Sequence, residues 1–393
     1  MGLCGNNCDQ CNYKNICGGC SFCEASVCSK NCDTCIAICF NRPGASFYIS
    51  TLGDLEIPLN DRKKMAITIP HHHIPILPDK FDSWPDYDIM PFIAVHGGKL
   101  LSRNGEKINP RYLNNGYTNA LNIDPRTKAI LEFYIKDRPL EGFWDNRKEI
   151  YRDLMKLEFE AIISLNFSVY EDAPRIDHLQ NIKRSTIVYN ELLDKGFNAI
   201  PDVSWYNLQD LDRWCKEINV KGIEMIAFSF QVVDVGLKTS NFWKSYLLGF
   251  RYLCENISQK VRIIVAGIVS PFKIHELYKA SNGQDIYVLN QSAYVQARRG
   301  MKSESRLQER DIPFKKLFES NVLYFNKAYS DILFRDILEW PNEKLIDFYH
   351  SYYSVNGRAE LRRKFGIEID KLELAFNFVN RVLRKKRIKL RSD

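Results

Sequence analysis

The chain has no run of about 18 apolar residues, so nothing in it reads as a membrane-spanning helix. Its first residues, MGLCGNNCDQC, have neither a basic n-region nor an apolar h-region, which leads us to expect a soluble, cytoplasmic protein. No G-x-x-x-x-G-K-[ST] loop occurs to cradle a nucleotide phosphate. No Ser/His/Asp set offers itself for acyl transfer, and only seven histidines are present in 393 residues. With 45% hydrophobic and 12% aromatic residues the chain is far too apolar to be disordered, and its length fits two or three folded units.

What is present is unevenly placed. The charge of +7 is almost all in the stretch from Arg381 to Asp393, RVLRKKRIKLRSD, which holds seven basic residues and one acid for a local charge of +6. Ten of the twelve cysteines fall between Cys4 and Cys39, and the other two, Cys215 and Cys254, sit in helical patterns as ordinary buried thiols. The chain therefore divides into a cysteine-rich head (1–45), a central domain (46–330) and a helical extension with a basic tail (331–393).

The head carries Cys4, Cys8, Cys11, Cys17, Cys20, Cys23, Cys28, Cys32, Cys35 and Cys39, many spaced by two residues. In a reducing compartment such spacing suits a shared metal better than disulfides. Zinc takes four thiolates per tetrahedral site, so ten cysteines supply two sites with two to spare. Cys17-x2-Cys20-x2-Cys23-x4-Cys28 is close to a bacterial ferredoxin spacing, one residue longer before the fourth cysteine and without its proline, so an iron–sulfur cluster stays open beside zinc.

Between 46 and about 130 short β-like runs appear at Phe47–Ser50, Ala66–Ile69 and Pro91–His96. His71-His72-His73 reads as a loop or strand edge, and Gly97-Gly98 as a strand-to-loop turn. From 129 onward apolar runs alternate with helical patterns: strands at Ala129–Ile135, Ala161–Leu165, Ala199–Val203, Ile223–Phe228, Arg262–Ala266 and Asp285–Leu289, with helices at Ile176–Leu193, Leu208–Ile218, Phe242–Glu255 and Lys273–Lys279. Six strands in βα order predict an α/β fold, a (β/α)8 TIM-like barrel, with an open doubly wound sheet as the alternative.

In a barrel of this kind chemistry gathers at the C-terminal ends of the strands. Those ends supply Asn166, Ser168 and Asp172, then Asp202, Ser204 and Trp205, then Ser229 and Gln231, then Gly267 and Asn290. Such a rim is rich in amides and hydroxyls and short of carboxylates. Asn and Ser there also serve as ordinary helix caps. Together with Trp205 they suit the planar, hydrogen-bonding edge of a nucleobase. We expect substrate contacts from Asn166, Ser204, Trp205, Ser229, Gln231 and Gly267, and catalysis from Asp202, Asp172 or Asn290.

Several resemblances attach to these residues. The head, opening Cys4-Gly-Asn-Asn-Cys8-Asp-Gln-Cys11, is similar to a class of small cysteine-rich bacterial domains, and those same residues satisfy the Cys-x3-Cys-x2-Cys pattern of radical S-adenosylmethionine enzymes. In that family the loop follows the first barrel strand, whereas here three residues precede Cys4. The stretch Asn166-Phe-Ser-Val-Tyr-Glu-Asp-Ala-Pro174, through Asn181-Ile-Lys-Arg184 to Ile200-Pro201-Asp202-Val-Ser-Trp205, resembles a bacterial and phage family of unknown function, in which aspartate is expected at Asn166. Arg262-Ile-Ile-Val-Ala-Gly267 with Pro271, Asp285-Ile-Tyr287 and Ala297-Arg-Arg-Gly300 is similar to the last strands of the tRNA-guanine transglycosylase superfamily and its DNA-modifying branch. That resemblance implies exchange of guanine for a 7-deazaguanine through an attacking aspartate. Val288–Asn290 occupy the nucleophile's place, so Asp202 or Asp172 would have to attack instead.

At the C-terminal end Arg358–Phe376 resembles a helix-turn-helix, or a plain helical hairpin, with Gly366 in the turn and Asp370 able to cap the second helix. Arg384, Lys385, Lys386 and Arg387 then form a phosphate-binding tail for DNA or RNA. The leading expectation is a transglycosylase-like enzyme acting on a nucleobase in nucleic acid. A non-catalytic nucleic-acid or nucleobase binder with structural zinc is the alternative, as is an iron–sulfur redox or radical enzyme.

Overall fold

The structure, a computed structural model, describes residues 52, 55–60, 67–169, 175–231, 241–309, 311–353, 357–367 and 371–386. The ten head cysteines, Asp172 and Arg387 lie outside them. The chain divides into two compact units at Leu323/Tyr324.

The first unit holds eight parallel strands: β1 (His73–Leu77), β2 (Phe92–His96), β3 (Lys128–Glu132), β4 (Ala161–Ile163), β5 (Ala199–Ile200), β6 (Met225–Ser229), β7 (Arg262–Ala266) and β8 (Ile286–Asn290). Their spatial order is β5-β4-β3-β2-β1-β8-β7-β6. The remaining seam is joined by a parallel bridge between Asp202 and Ala227, with Val203 N–H donating to Ala227 O at 2.8 Å and Ala227 N–H to Pro201 O at 2.9 Å. The result is a nearly closed (β/α)8 barrel, as the alternation of strands and helices predicts. The open sheet is excluded.

Helices α1 (Gly97–Leu100), α2 (Pro110–Leu121), α3 (Asp137–Leu154), α4 (Arg175–Asp194), α5 (Leu208–Val220), α6 (Asn241–Asn256), α7 (Pro271–Ala280) and α8 (Ser292–Arg298) follow or separate the strands. No helix among the described residues is long and apolar enough to cross a membrane. Cys215 and Cys254 are free, buried thiols on α5 and α6.

Two local expectations are corrected. The described residues 67–69 form no strand; Ile67 and Ile69 instead pack into the barrel's interior core, and the first strand is His73–Leu77, which begins at the last of the three histidines. All five residues of that strand are buried, so no polar alternation marks it. Gly97 and Gly98 open the short helix α1 and do not form a loop turn. A Cβ on Gly97 would lie 2.5 Å from the Phe133 ring and 2.6 Å from Glu132 O, so glycine is needed there for close packing.

Inside the barrel, alternate residues of each strand point to the axis. Ile74 and Ile76, Phe92 and Ala94, Ile130, Ala161 and Ile163, Ile200, Met225 and Ala227, Ile264 and Ala266, and Leu289 form one buried cluster. The same parity carried one step further reaches His96, Glu132, Asp202 and Ser229, so the apolar plug gives way to polar groups at the C-terminal end.

The second unit begins within α9 (Phe314–Ile332) and continues through a short 3-10 turn (Arg335–Glu339), α10 (Asn342–Tyr352), α11 (Gly357–Phe365) and α12 (Leu372–Lys385). Its core joins Phe334, Leu345, Phe348, Leu361, Phe376, Val379 and Leu383. Gly366, with φ of 73°, follows α11 in the left-handed conformation that ends a helix. The residue before α12 is Lys371, and Asp370 lies outside the described residues.

Candidate functional site

Asp202 is the centre of the polar end. It is fully buried, and three donors meet its carboxylate: Tyr134 Oη at 2.8 Å on Oδ1, and Asn166 Nδ2 at 2.7 Å and Ser204 Oγ at 2.9 Å on Oδ2. Its own N–H donates to Ser164 Oγ at 2.9 Å. Burial pushes the Asp202 carboxyl up to about 6, against the pull of the hydrogen bonds from Asn166, Tyr134 and Ser204. Burial, followed by the charge of Asp202, holds the Tyr134 phenol well above its ordinary value.

A second buried carboxylate stands nearby. Glu132 is fully buried; its Oε1 meets His96 Nδ1 at 2.5 Å and its Oε2 accepts from Tyr134 N–H at 2.7 Å. His96 and Glu132 are register partners on β2 and β3, which sets their side chains next to each other on the inner face. Tyr134 therefore links both carboxylates, through its backbone to Glu132 and through its hydroxyl to Asp202.

Above Asp202 opens a small cleft, about 360 Å³ of space when the solvent at its mouth is included, lined by Asn166, Phe167, Ser168, Val169, Val203, Ser204, Trp205, Ser229 and Tyr246. Its wall after β4 is clamped from behind. Ser168 Oγ donates to Asp137 Oδ1 at 2.7 Å, Asn181 Nδ2 donates to Ser168 O at 2.6 Å, and Arg184 lies 3.9 Å over the Phe167 ring while pairing with Glu141 at 2.6 Å. On the opposite wall a capping box between Asn207 and Asp210 fixes the start of α5 just after Trp205. The indole rests against Gly249 of α6, where a Cβ would come within 2.3 Å of the ring, and its centroid is 5.1 Å from that of Tyr246.

Asn166, Ser204, Trp205 and Ser229 thus meet in one pocket, with Asp202 beneath them. Gln231 and Gly267 meet each other instead: Gly267, at φ of 87°, lets the Gln231 backbone approach where a Cβ would be 2.7 Å from its nitrogen. Asn290 is not among the lining residues; its Oδ1 accepts from Ser292 N–H at 3.0 Å and its Nδ2 donates to Ile268 O at 3.4 Å. Sequence reasoning missed Glu132, His96 and Tyr134. The available signal was a single carboxylate inside the apolar run Ala129–Ile135, two residues from Ile130 and so on the same face.

Among the described residues no group of three or more His, Cys, Asp or Glu is placed to hold a metal ion. The ten cysteines expected to bind metal lie outside those residues. In the second unit Arg384, Lys385 and Lys386 are exposed at the end of α12, as are Arg362, Arg363 and Lys364 on α11. Lys386 Nζ donates to Asn342 Oδ1 at 3.4 Å, and Lys364 pairs with Asp347 at 2.5 Å.

Fold and site define a parallel α/β barrel with a polar, carboxylate-bearing mouth. Residues 101–279 are similar to a family described as a domain of unknown function (DUF4417), a match that takes in Glu132, Tyr134 and every residue lining the pocket. No curated protein matches the sequence.

Proposed function

We propose that the barrel mouth binds a nucleobase and modifies it, by base exchange of the transglycosylase kind, while the base is carried on DNA or RNA. The observation that supports this reading is the meeting of Asn166, Ser204 and Ser229 with Trp205 and Tyr246 in one pocket above a buried carboxylate. Asp202, when ionised, only accepts hydrogen bonds, so the Asn166 amide must turn Nδ2 toward it and leave Oδ1 for a base N–H. A ring N–H or an exocyclic amine of a purine suits such an acceptor, and Trp205 offers a face to stack on.

A carboxyl held near pH 6 is suited to proton transfer at neutral pH. Covalent attack by Asp202 would require its three donors to let go, so its chemistry in this reading is proton handling. The exposed Arg362, Arg363, Arg384 and Lys385 of the second unit, with the basic residues beyond, would neutralise phosphates of the carrier. The ten cysteines of the head would hold zinc or an iron–sulfur cluster. About two zincs, or about four to eight irons with matching acid-labile sulfide, per chain separates the two.

The test is exchange of labelled guanine into DNA or tRNA by wild type and Asp202→Asn, with binding followed by tryptophan fluorescence. Exchange abolished with binding retained is the expected result; unchanged exchange removes Asp202 from the mechanism. One observation favours a second reading, a non-catalytic nucleobase-binding module: both oxygens of Asp202 are already engaged. Wild type that binds bases and exchanges none supports that module.

A further inference from the structure

We infer that His96 is a general acid–base group of the barrel mouth, with Glu132 as the residue that positions it. The inference rests on the reading of the Trp205 pocket as a nucleobase site and extends it to the opposite side of the mouth.

The His96 imidazole has one nitrogen committed and one free. Nδ1 meets the Glu132 carboxylate at 2.5 Å, and that carboxylate is fully buried with its other oxygen held by Tyr134 N–H. A carboxylate that only accepts requires Nδ1 to carry the proton, which leaves Nε2 with a bare lone pair. Among the described residues Nε2 makes no hydrogen bond, and it is not buried; the side chain is 18% exposed. A histidine serving only to fill the core would have both nitrogens satisfied or enclosed.

Gly98 supplies an independent observation. Its φ is not positive, so the backbone conformation does not call for glycine. What a side chain there would meet is His96 and Ile135, since a Cβ would stand 3.0 Å from Nε2 and 3.2 Å from Ile135 Cγ2. The glycine keeps the approach to that nitrogen open.

His96 also belongs to the same connected set as the pocket. Glu132 joins Tyr134, whose hydroxyl joins Asp202, which in turn holds Asn166 and Ser204. β2 and β5 are three strands apart along the wall, at about 4.8 Å per strand. At that separation a group larger than a base is needed to reach both Trp205 and His96, so the substrate class we infer is a nucleoside unit within a strand and not a free base. In the proposed step Nε2 takes the N9–H proton of the incoming guanine, whose electron pair forms the new bond to the sugar C1′ as the old C1′–N9 bond breaks; the outgoing base leaves with that bonding pair and takes up a proton from solvent. The imidazolium is balanced by Glu132 and releases its proton to solvent after turnover.

Two measurements on the full chain test this. In protein with 15N-labelled histidine, assigned with His96→Asn, we expect Nδ1 protonated and Nε2 bare; the opposite tautomer overturns the inference whatever the substrate proves to be. Guanine exchange on a guanine-containing oligonucleotide is then compared between wild type and His96→Asn. We expect kcat to fall about 10²–10⁴-fold, base affinity to stay within about threefold, and added imidazole to restore part of the rate in His96→Ala. Undiminished kcat in a folded His96→Asn or His96→Gln overturns the role of His96 and leaves the pocket reading standing. Binding without exchange in wild type overturns it in favour of the binding module. Absence of any base binding fails the pocket reading itself, and the inference with it.

Discussion

Ile130 and Glu132 are two residues apart on β3, both fully buried and both facing the barrel axis, yet they demand opposite chemistry. Ile130 lies in the buried cluster with Phe92, Ala94, Ala161 and Ile163, all of them apolar. One step along the same face, His96 and the Tyr134 N–H receive both oxygens of Glu132. Burial alone therefore does not decide which side chain a position tolerates. What decides it is whether neighbouring strands deliver hydrogen-bond partners at that level of the barrel.

The largest effect is expected from moving a carboxylate down one level. Ile130→Asp places an unpaired acid in the apolar plug and should destabilise the protein by about 4 kcal/mol or more, read from urea unfolding; a loss under about 1 kcal/mol would mean that partners or water reach that level.

Asp202 sharpens the comparison through pH. Its carboxyl is raised from 3.8 to about 6, so the fold favours the neutral form. The stability this contributes is fully present below about 3.8 and is lost as the pH climbs through about 6. At about 1.4 kcal/mol per unit the loss amounts to roughly 3 kcal/mol. Asp202→Asn lacks that ionisation, so the stability of wild type relative to the variant should drop by most of this amount between pH 4 and pH 7. A difference independent of pH would show the carboxyl to be ordinarily solvated.

Gly249→Ala tests the wall of the pocket. The new methyl meets the Trp205 ring at 2.3 Å, so the indole must move; the expected cost is about 1–2 kcal/mol of stability together with a shifted tryptophan emission. Unchanged emission would show that α6 gives way instead. The smallest effect belongs to Ser229→Ala, whose hydroxyl accepts only from Gln231 N–H at 3.2 Å among the described residues. It should cost less than about 1 kcal/mol, and a larger loss in thermal unfolding would place Ser229 within the Asp202 network.

Much of this arrangement is legible before folding. The alternation of apolar runs and helical periods from 129 onward marks the parallel barrel, and reading off the strand ends reaches Asn166, Asp202, Ser204, Trp205 and Ser229. The first strand escapes because His73–Leu77 is buried throughout and carries a proline, so neither alternation nor composition announces it. Glu132 escapes for a different reason: a run such as Ala129–Ile135 reads as one apolar strand, and the carboxylate inside it gains meaning only from its partners. His96 and Tyr134 are equally silent, because strand ends do not reveal which side chains meet across the barrel.

From residue 129 onward the sequence by itself determined the order of strands and helices, since backbone periodicity and apolar burial are local properties that repeat every two or 3.6 residues. Only the tertiary structure decided that residues 96, 132, 134, 166, 202 and 204 form one hydrogen-bonded set. Those contacts join four strands or their following loops across 108 residues of chain, and their strength depends on distances of 2.5–2.9 Å that no linear spacing encodes. Barrel closure brings them together, and the same closure, by excluding water, raises Asp202 toward neutral pH.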